Sequence, residues 1–406
     1  MSLKEKAIKA LSKKAKYGPD ISLEDYIIET HESSVSEEEV LEKIREPASR
    51  LGMSNKELSQ ASYIQVNELI LHRALIEGLR KQGVIVMSTG EALRKIPWVK
   101  EYYWKNVDVS QDKYTAAVEL YGKRQGYFIY VPPGVKVKYP IYTCLLITDN
   151  RQAQLVHNIV IVDEGAELNL VTGCATGHRV KTALHIGVSE FYVKKNAKLS
   201  FAMIHAWSSG IHVRPRTSVR VWEGGEYISY YLIYSDVASI QQYPTVRLSR
   251  KAKLHTASII VGSGNSIYDI GSEAVLEDEE ASAEIISRVV AKDEAWVAAR
   301  AHIMAYHGAT RGHIECLGLP LSSKATIKAL PELETHVEGA ELTHEAAIGK
   351  IAEEEIEYLM SRGFTEDEAR ALILRGFLRV DMPGLPFTIR EMIDHVTRML
   401  AERATG

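Results

Sequence analysis

Cysteine is scarce in this chain: three residues among 406 cannot make a disulfide framework. Cys144, Cys174 and Cys316 lie far apart and read as free thiols of a reducing compartment, where the bland role of a cysteine is that of a small buried hydrophobe. Long apolar runs are missing too. Nothing approaches the roughly 18 residues that announce a membrane span. Met1–Tyr17 alternates lysine with Ala, Ile and Leu and lacks the continuous apolar centre of a signal peptide. That segment is expected to be an amphipathic helix, and the protein cytoplasmic. There is no surplus of positive charge: a formal net charge of −4 removes any electrostatic reason to expect DNA or RNA as a partner. No Gly-Lys-Ser/Thr phosphate loop occurs, so the chain is not expected to hydrolyse ATP.

What is present is ordinary globular material, 46% hydrophobic and 25% charged, enough for a sizeable core in two or three units. Residues 1–105 read as helical. Ser36 and Ser54 look like helix N-caps. Tyr63–Lys81 sets Val66, Ile70 and Ala74 four apart, beside Leu71, Leu75 and Leu79, which predicts a helix. A short strand over Gly83–Ser88 and a Ser88-capped helix follow. The aromatic cluster of Trp98, Tyr102, Tyr103 and Trp104 is expected in the core. Alternation then takes over from about Tyr114, making 106–345 one β unit. Helical spacing returns over 346–406, with a helix ending at Gly363, another capped by Thr365, and a last one from Ile389 to Leu400 beyond Pro383 and Pro386. The helical regions are expected to cover the ends of the β unit, where strand edges would otherwise lie open.

A turn pattern recurs through the β unit: Val162–Leu168, Val193–Leu199, Val221–Tyr227, Leu248–Leu254 and, more loosely, Leu276–Ala283. In each, polar residues precede a small one, at 166, 197, 225, 252 and 281, so the steps are 31, 28, 27 and 29. A near-constant step with tight turns signals coils of strand stacked on one another. A β-sandwich is the structural alternative.

Between His313 and Ala347 the residue types become chemical. Cys316 lies in His313-Ile314-Glu315-Cys316, and Leu342-Thr343-His344-Glu345-Ala346-Ala347 follows across an alternating stretch. Thiolate, imidazole and carboxylate together suit iron, zinc or an iron–sulfur cluster. The spacing is too wide for a zinc finger, so the fold must build the site, in part from a second subunit. Consecutive strand residues face opposite ways, so one of His344 and Glu345 can face Cys316 while the other turns away. Cys174 follows Gly173 and reads as lying at a turn, either packed in the core or reachable. Trp207 reads as core filling, and His185 as a hydrogen-bonded structural histidine.

Several strings, in order, resemble the SufB/SufD family, core proteins of the SUF iron–sulfur cluster assembly system. They are Tyr127–Val137 with its Pro132-Pro133-Gly134 turn, Leu155–Cys174, Leu184-His185 with Glu190, Ala206-Trp207, Leu342–Gly349 and Tyr358–Gly363. The resemblance runs from about Gly83 to Phe377. It implies a right-handed parallel β-helix flanked by N-terminal and C-terminal helical regions. It also implies a non-catalytic scaffold of the SufB kind. Cys174 matches the thiol that receives persulfide sulfur, with His205 and Trp207 along an interior passage. Cys316 matches the thiol on which a transient iron–sulfur cluster is built at a subunit interface, with His344 and Glu345 beside it. Leu146 and Thr148 stand where the SufB branch has Arg and Asn, and His205 where it usually has Gln. The implied partners are a SufC-type ABC ATPase on the C-terminal helical region, a second copy or a SufB/SufD paralogue, and sulfur donor proteins. A SufD-like structural partner and, at greater distance, a polysaccharide-active β-helix enzyme are the alternatives. For the last, no paired-carboxylate constellation stands out.

Overall fold

The recurring small residue marks where each coil turns into a strand. Strands begin at Glu167, Lys198, Glu226, Lys253, Ser282, Arg311 and Glu341, and these seven residues lie side by side in parallel register. Each follows a small position by one residue. The steps of 31, 28, 27 and 29 are therefore coil lengths, and the series continues with 29 and 30. The residue before the small one takes the left-handed conformation: Gly165, Asn196, Gly224, Lys251, Glu280 and Gly339 have φ between 55° and 86°. That bend points the next side chain into the coil, where Ala166, Ala197, Ala252 and Ala281 are each at most 1% exposed. At Gly225 even a Cβ would come within 2.9 Å of the Trp222 carbonyl oxygen.

A computed structural model describes residues 1–28, 51, 63–67, 69–71, 77–177, 179–381, 390, 391, 393–395, 398 and 399. Among these, the strands form sheets of ten and eleven members. Their side-by-side pairing is parallel except at the first end. There Leu69–Leu71 runs antiparallel to Tyr63–Val66, and Ile85–Ser88 antiparallel to Tyr127–Val131. Parallel stacking excludes the antiparallel β-sandwich, and the chain is a parallel β-helix with helices at its termini. Inward-facing Val, Ile, Leu and Ala of both sheets form one long core.

Three readings of the periodicity need correction. Tyr63–Lys81 is not one helix: Tyr63–Val66 and Leu69–Leu71 are strands, and among the described residues of that span only Glu77–Lys81 is helical. Tyr63–Val66 is buried at every residue, so it lacks the alternation that betrays a half-exposed strand. Lys113–Tyr121, inside the region read as alternating, is a helix. Asp112 caps it by accepting from the Tyr114 and Thr115 N–H groups, and its first six residues are all buried, which erases any amphipathic stripe. The third concerns the coil's last end. Leu374, Leu378 and Ile393 of the C-terminal region pack on the outer face of one sheet with Ile259, Ile286 and Val290. Among the described residues, none of the C-terminal region covers the last strand, Glu341–Ile348, and all its residues but Leu342 are exposed. The helices expected at Ser36 and Ser54 lie outside the described residues, as do Pro383 and Pro386.

Glu190 anchors the aromatic segment to the coil. Its buried carboxylate accepts N–H bonds from Trp104, Lys105, Asn106 and Val107 at 2.5–3.0 Å, and lies 2.8 Å from His157 Nε2.

Candidate functional site

Along Arg311–Pro320, burial alternates. Gly312, Ile314, Cys316 and Gly318 face the coil interior, and His313, Glu315 and Leu317 face out. Cys316 is 2% exposed and sits between Ser287 on the preceding coil and Ala346 on the last one. Burial pushes its thiol up to about 11; a hydrogen bond with Ser287 and the nearby Arg288 cation pull against that rise, and Glu315 adds to it. Arg288 is itself ion-paired with Glu315 on the outer face.

The last coil places the other two candidates on opposite faces. His344 lies beside Ile314, so it shares the inward face with Cys316, two residues before Ala346. Glu345 lies beside Glu315, on the outer face. Thr343 stacks on His313, whose Nδ1 is 2.9 Å from its hydroxyl. Among the described residues, no group of three or more His, Cys, Asp or Glu is gathered closely enough to hold a metal ion. Cys316 and His344 are thus brought to one inward face near the open end, and Glu345 is not.

Cys174 lies inside the strand Glu167–Thr176, not at a turn, and is wholly buried facing inward. Its Sγ is 3.8 Å from Met203 Sδ, and its neighbour on the next strand is His205. His205 Nδ1 is 2.8 Å from the Tyr231 hydroxyl. The Trp207 ring lies 5.3 Å from that of His205 and 5.1 Å from that of His185, whose Nδ1 is 2.9 Å from Gln154 Oε1. Burial drives the Cys174 thiol well above its ordinary range, with Cys144 adding to the rise. Burial, then His185, holds His205 well below its own range, and burial lowers His185 to about 3. Both imidazoles are neutral. Cys144 faces the outer cluster, its thiol pushed up to about 12 by burial. Leu146, one of the departures, also faces that outer cluster.

One inward column joins the two thiol regions, and single-residue reading missed it. Tyr63, Thr143, Thr172, Met203, Tyr231, Ser258, Ser287 and Cys316 are successive side-by-side neighbours. Hydroxyls and sulfur thus line one row of the interior, with Thr143 and Thr172 hydroxyls 2.7 Å apart and Tyr127 3.1 Å from Thr172. Five strand spacings, about 24 Å, separate the coil of Cys174 from that of Cys316. The coil steps were the available signal: counting 29 back from 316 reaches 287, and 29 more reaches 258.

A family model described as the SUF system FeS cluster assembly SufBD core domain matches residues 145–377, and one for the SufBD protein N-terminal region matches 53–143. An iron–sulfur cluster assembly SufBD family protein of Methanothermobacter thermautotrophicus is 43% identical over 404 residues, covering 98% of this chain and 97% of its own. One from Archaeoglobus fulgidus is 48% identical over 322 residues, 79% and 86% of the two chains. One from Staphylococcus epidermidis is 29% identical over 389 residues, 94% and 83%.

Proposed function

This chain belongs to the SufBD family of iron–sulfur cluster assembly proteins, and on that premise we propose that it is the cluster-building scaffold of a SUF-type complex. Iron and the sulfane sulfur of a donor's persulfide are its cargo: the Cys174 thiolate takes the outer sulfur, the donor leaves as its thiol, and an external two-electron reductant brings that sulfur to sulfide as the cluster forms. Cys174 accepts sulfur, with His205 and Trp207 around it. The sulfur moves along the hydroxyl-lined column, and a transient cluster forms at Cys316 with His344. Glu345, on the outer face, contributes across a subunit boundary.

The observation that carries this reading is the place of Cys316. It lies one coil from the open end, behind a strand whose outer edge is unpaired among the described strands and whose residues are exposed. A second copy or a paralogue laid on that end would bring in the ligands that one chain does not gather. The ATPase is a separate ABC-type subunit, and the chain itself is non-catalytic and cytoplasmic. Exposed Tyr358, Met360, Phe364 and Leu372 give the C-terminal region an apolar surface for that subunit. No helix among the described residues is long and apolar enough to cross a membrane.

Anaerobic reconstitution with ferrous iron and sulfide tests the scaffold role. The parent protein should gain a visible charge-transfer band, and Cys316→Ala should lose most of it. An equal band in Cys316→Ala would remove the site.

A further inference from the structure

We propose that Cys174, Met203 and His205 form a binding site for one monovalent soft metal ion, Cu(I). The two sulfurs stand 3.8 Å apart on the inner face of the coil, Cys174 wholly buried and Met203 half-buried. An ion held by two sulfurs at about 2.3 Å each, with an angle near 110° between them, needs a separation of roughly 3.8 Å. His205 is the side-by-side neighbour of Cys174 and faces the same interior. If its Nδ1–H donates to the Tyr231 oxygen 2.8 Å away, the Nε2 lone pair is left for the ion. That is the usual arrangement of a metal-binding imidazole and its outer partner.

Charge selects the valence. The site supplies one anionic ligand, the Cys174 thiolate, and two neutral ones. A monovalent ion therefore leaves no net charge in an interior where Cys174 is 0% and His205 1% exposed. A divalent ion would leave an unpaired positive charge there, at several kcal/mol. Thiolate, thioether and imidazole are also a soft set, which favours Cu(I) over iron or magnesium. The described residues gather no three His, Cys, Asp or Glu, so the Met203 thioether is what completes the set.

Trp207 lies between the site and the surface. One side of that residue meets the His185 and His205 rings, and it also lines a surface cavity of about 360 Å³ with Ser208, Asp236, Ser263 and Lys292. The binding step is a ligand exchange without redox change. The Cys174 S–H bond breaks, its proton goes to solvent, the sulfur pair forms the S–Cu bond, and copper stays monovalent. Binding itself does not depend on the scaffold role, although a bound ion would occupy the electron pair that sulfur acceptance needs.

The test uses the reduced full-length protein without oxygen, titrated with Cu(I) buffered by a competing chelator. The parent should withdraw one equivalent and release one proton. X-ray absorption should show two sulfur neighbours and one nitrogen at about 2.0–2.3 Å. Cys174→Ser should abolish this binding. Met203→Leu, a volume-conserving change, and Tyr231→Phe should each weaken it by about 10- to 100-fold. Cys316→Ser should bind as the parent does. The site is overturned if the parent withdraws no copper, or if a Met203→Leu protein with the parent's melting temperature binds as tightly. Weakened copper binding in Met203→Leu with cluster reconstitution intact supports the metal site and leaves the scaffold reading standing.

Discussion

Ser287 stands directly beside Cys316 on the preceding coil, hydrogen-bonded to its thiol. Removing that hydroxyl with Ser287→Ala should raise the thiol above its value of about 11 and slow its alkylation at pH 9 by roughly two- to tenfold, a tenfold change corresponding to one unit. The folded thiol is raised above its ordinary range, so the unfolded chain loses that proton first. The stability involved is complete below about pH 9 and disappears as pH climbs through about 11. Cys316→Ala should flatten that alkaline decline, as read from melting temperature against pH.

Glu190→Ala leaves four backbone donors and His157 without their shared acceptor. Chemical unfolding should show a loss of about 3–5 kcal/mol. Proteolysis should cut first near residues 102–107. A variant within 1 kcal/mol of the parent, roughly the worth of one ordinary hydrogen bond, would mean the anchor is idle.

Acid should destabilise the chain through its buried imidazoles. Burial holds His185 at about 3 and His205 well below its usual range; His212 is lowered to about 4 by burial and by Arg214. The unfolded chain takes up these protons first. The stability is therefore whole above about pH 6.5 and fades as pH falls towards 4 and 3. The urea midpoint should drop from pH 7.5 to pH 4.5, and less steeply in His185→Gln.

The two neighbouring corner positions should respond in opposite ways. Lys251→Gly suits φ of +58° and should leave stability unchanged or raise it by up to about 1 kcal/mol. Ala252→Leu, one residue on, forces a large side chain into a wholly buried corner and should cost about 1–3 kcal/mol or more. Paired melting curves decide this, and equal tolerance at both positions would count against the corner geometry.

The coil was legible because a small residue recurs at each corner, in six of seven turns after a left-handed one, and its spacing equals the coil length. Buried elements were less legible. Tyr63–Val66 and Lys113–Tyr121 meet protein on nearly all sides, and their apolar residues carry no period. Gly173 suggested a turn at Cys174, but it is a strand residue whose missing side chain makes room for Leu51; a Cβ there would lie 2.6 Å from Leu51 Cδ1. Strand parity was enough to separate His344 from Glu345. Only the full register shows that His344 shares the face of Cys316 and that Met203, Tyr231, Ser258 and Ser287 line up with that thiol. The contact between the two sulfurs depends on side-chain placement that no spacing encodes.

The two ends of the coil are unlike. At the first, both sheets finish in a strand that doubles back antiparallel; at the other, among the described strands, a parallel strand ends the sheet with its outer edge open to backbone pairing. A molecule with one adhesive terminus can join a like terminus and then has nothing left to offer. Growth would halt at a closed pair instead of running on into a filament.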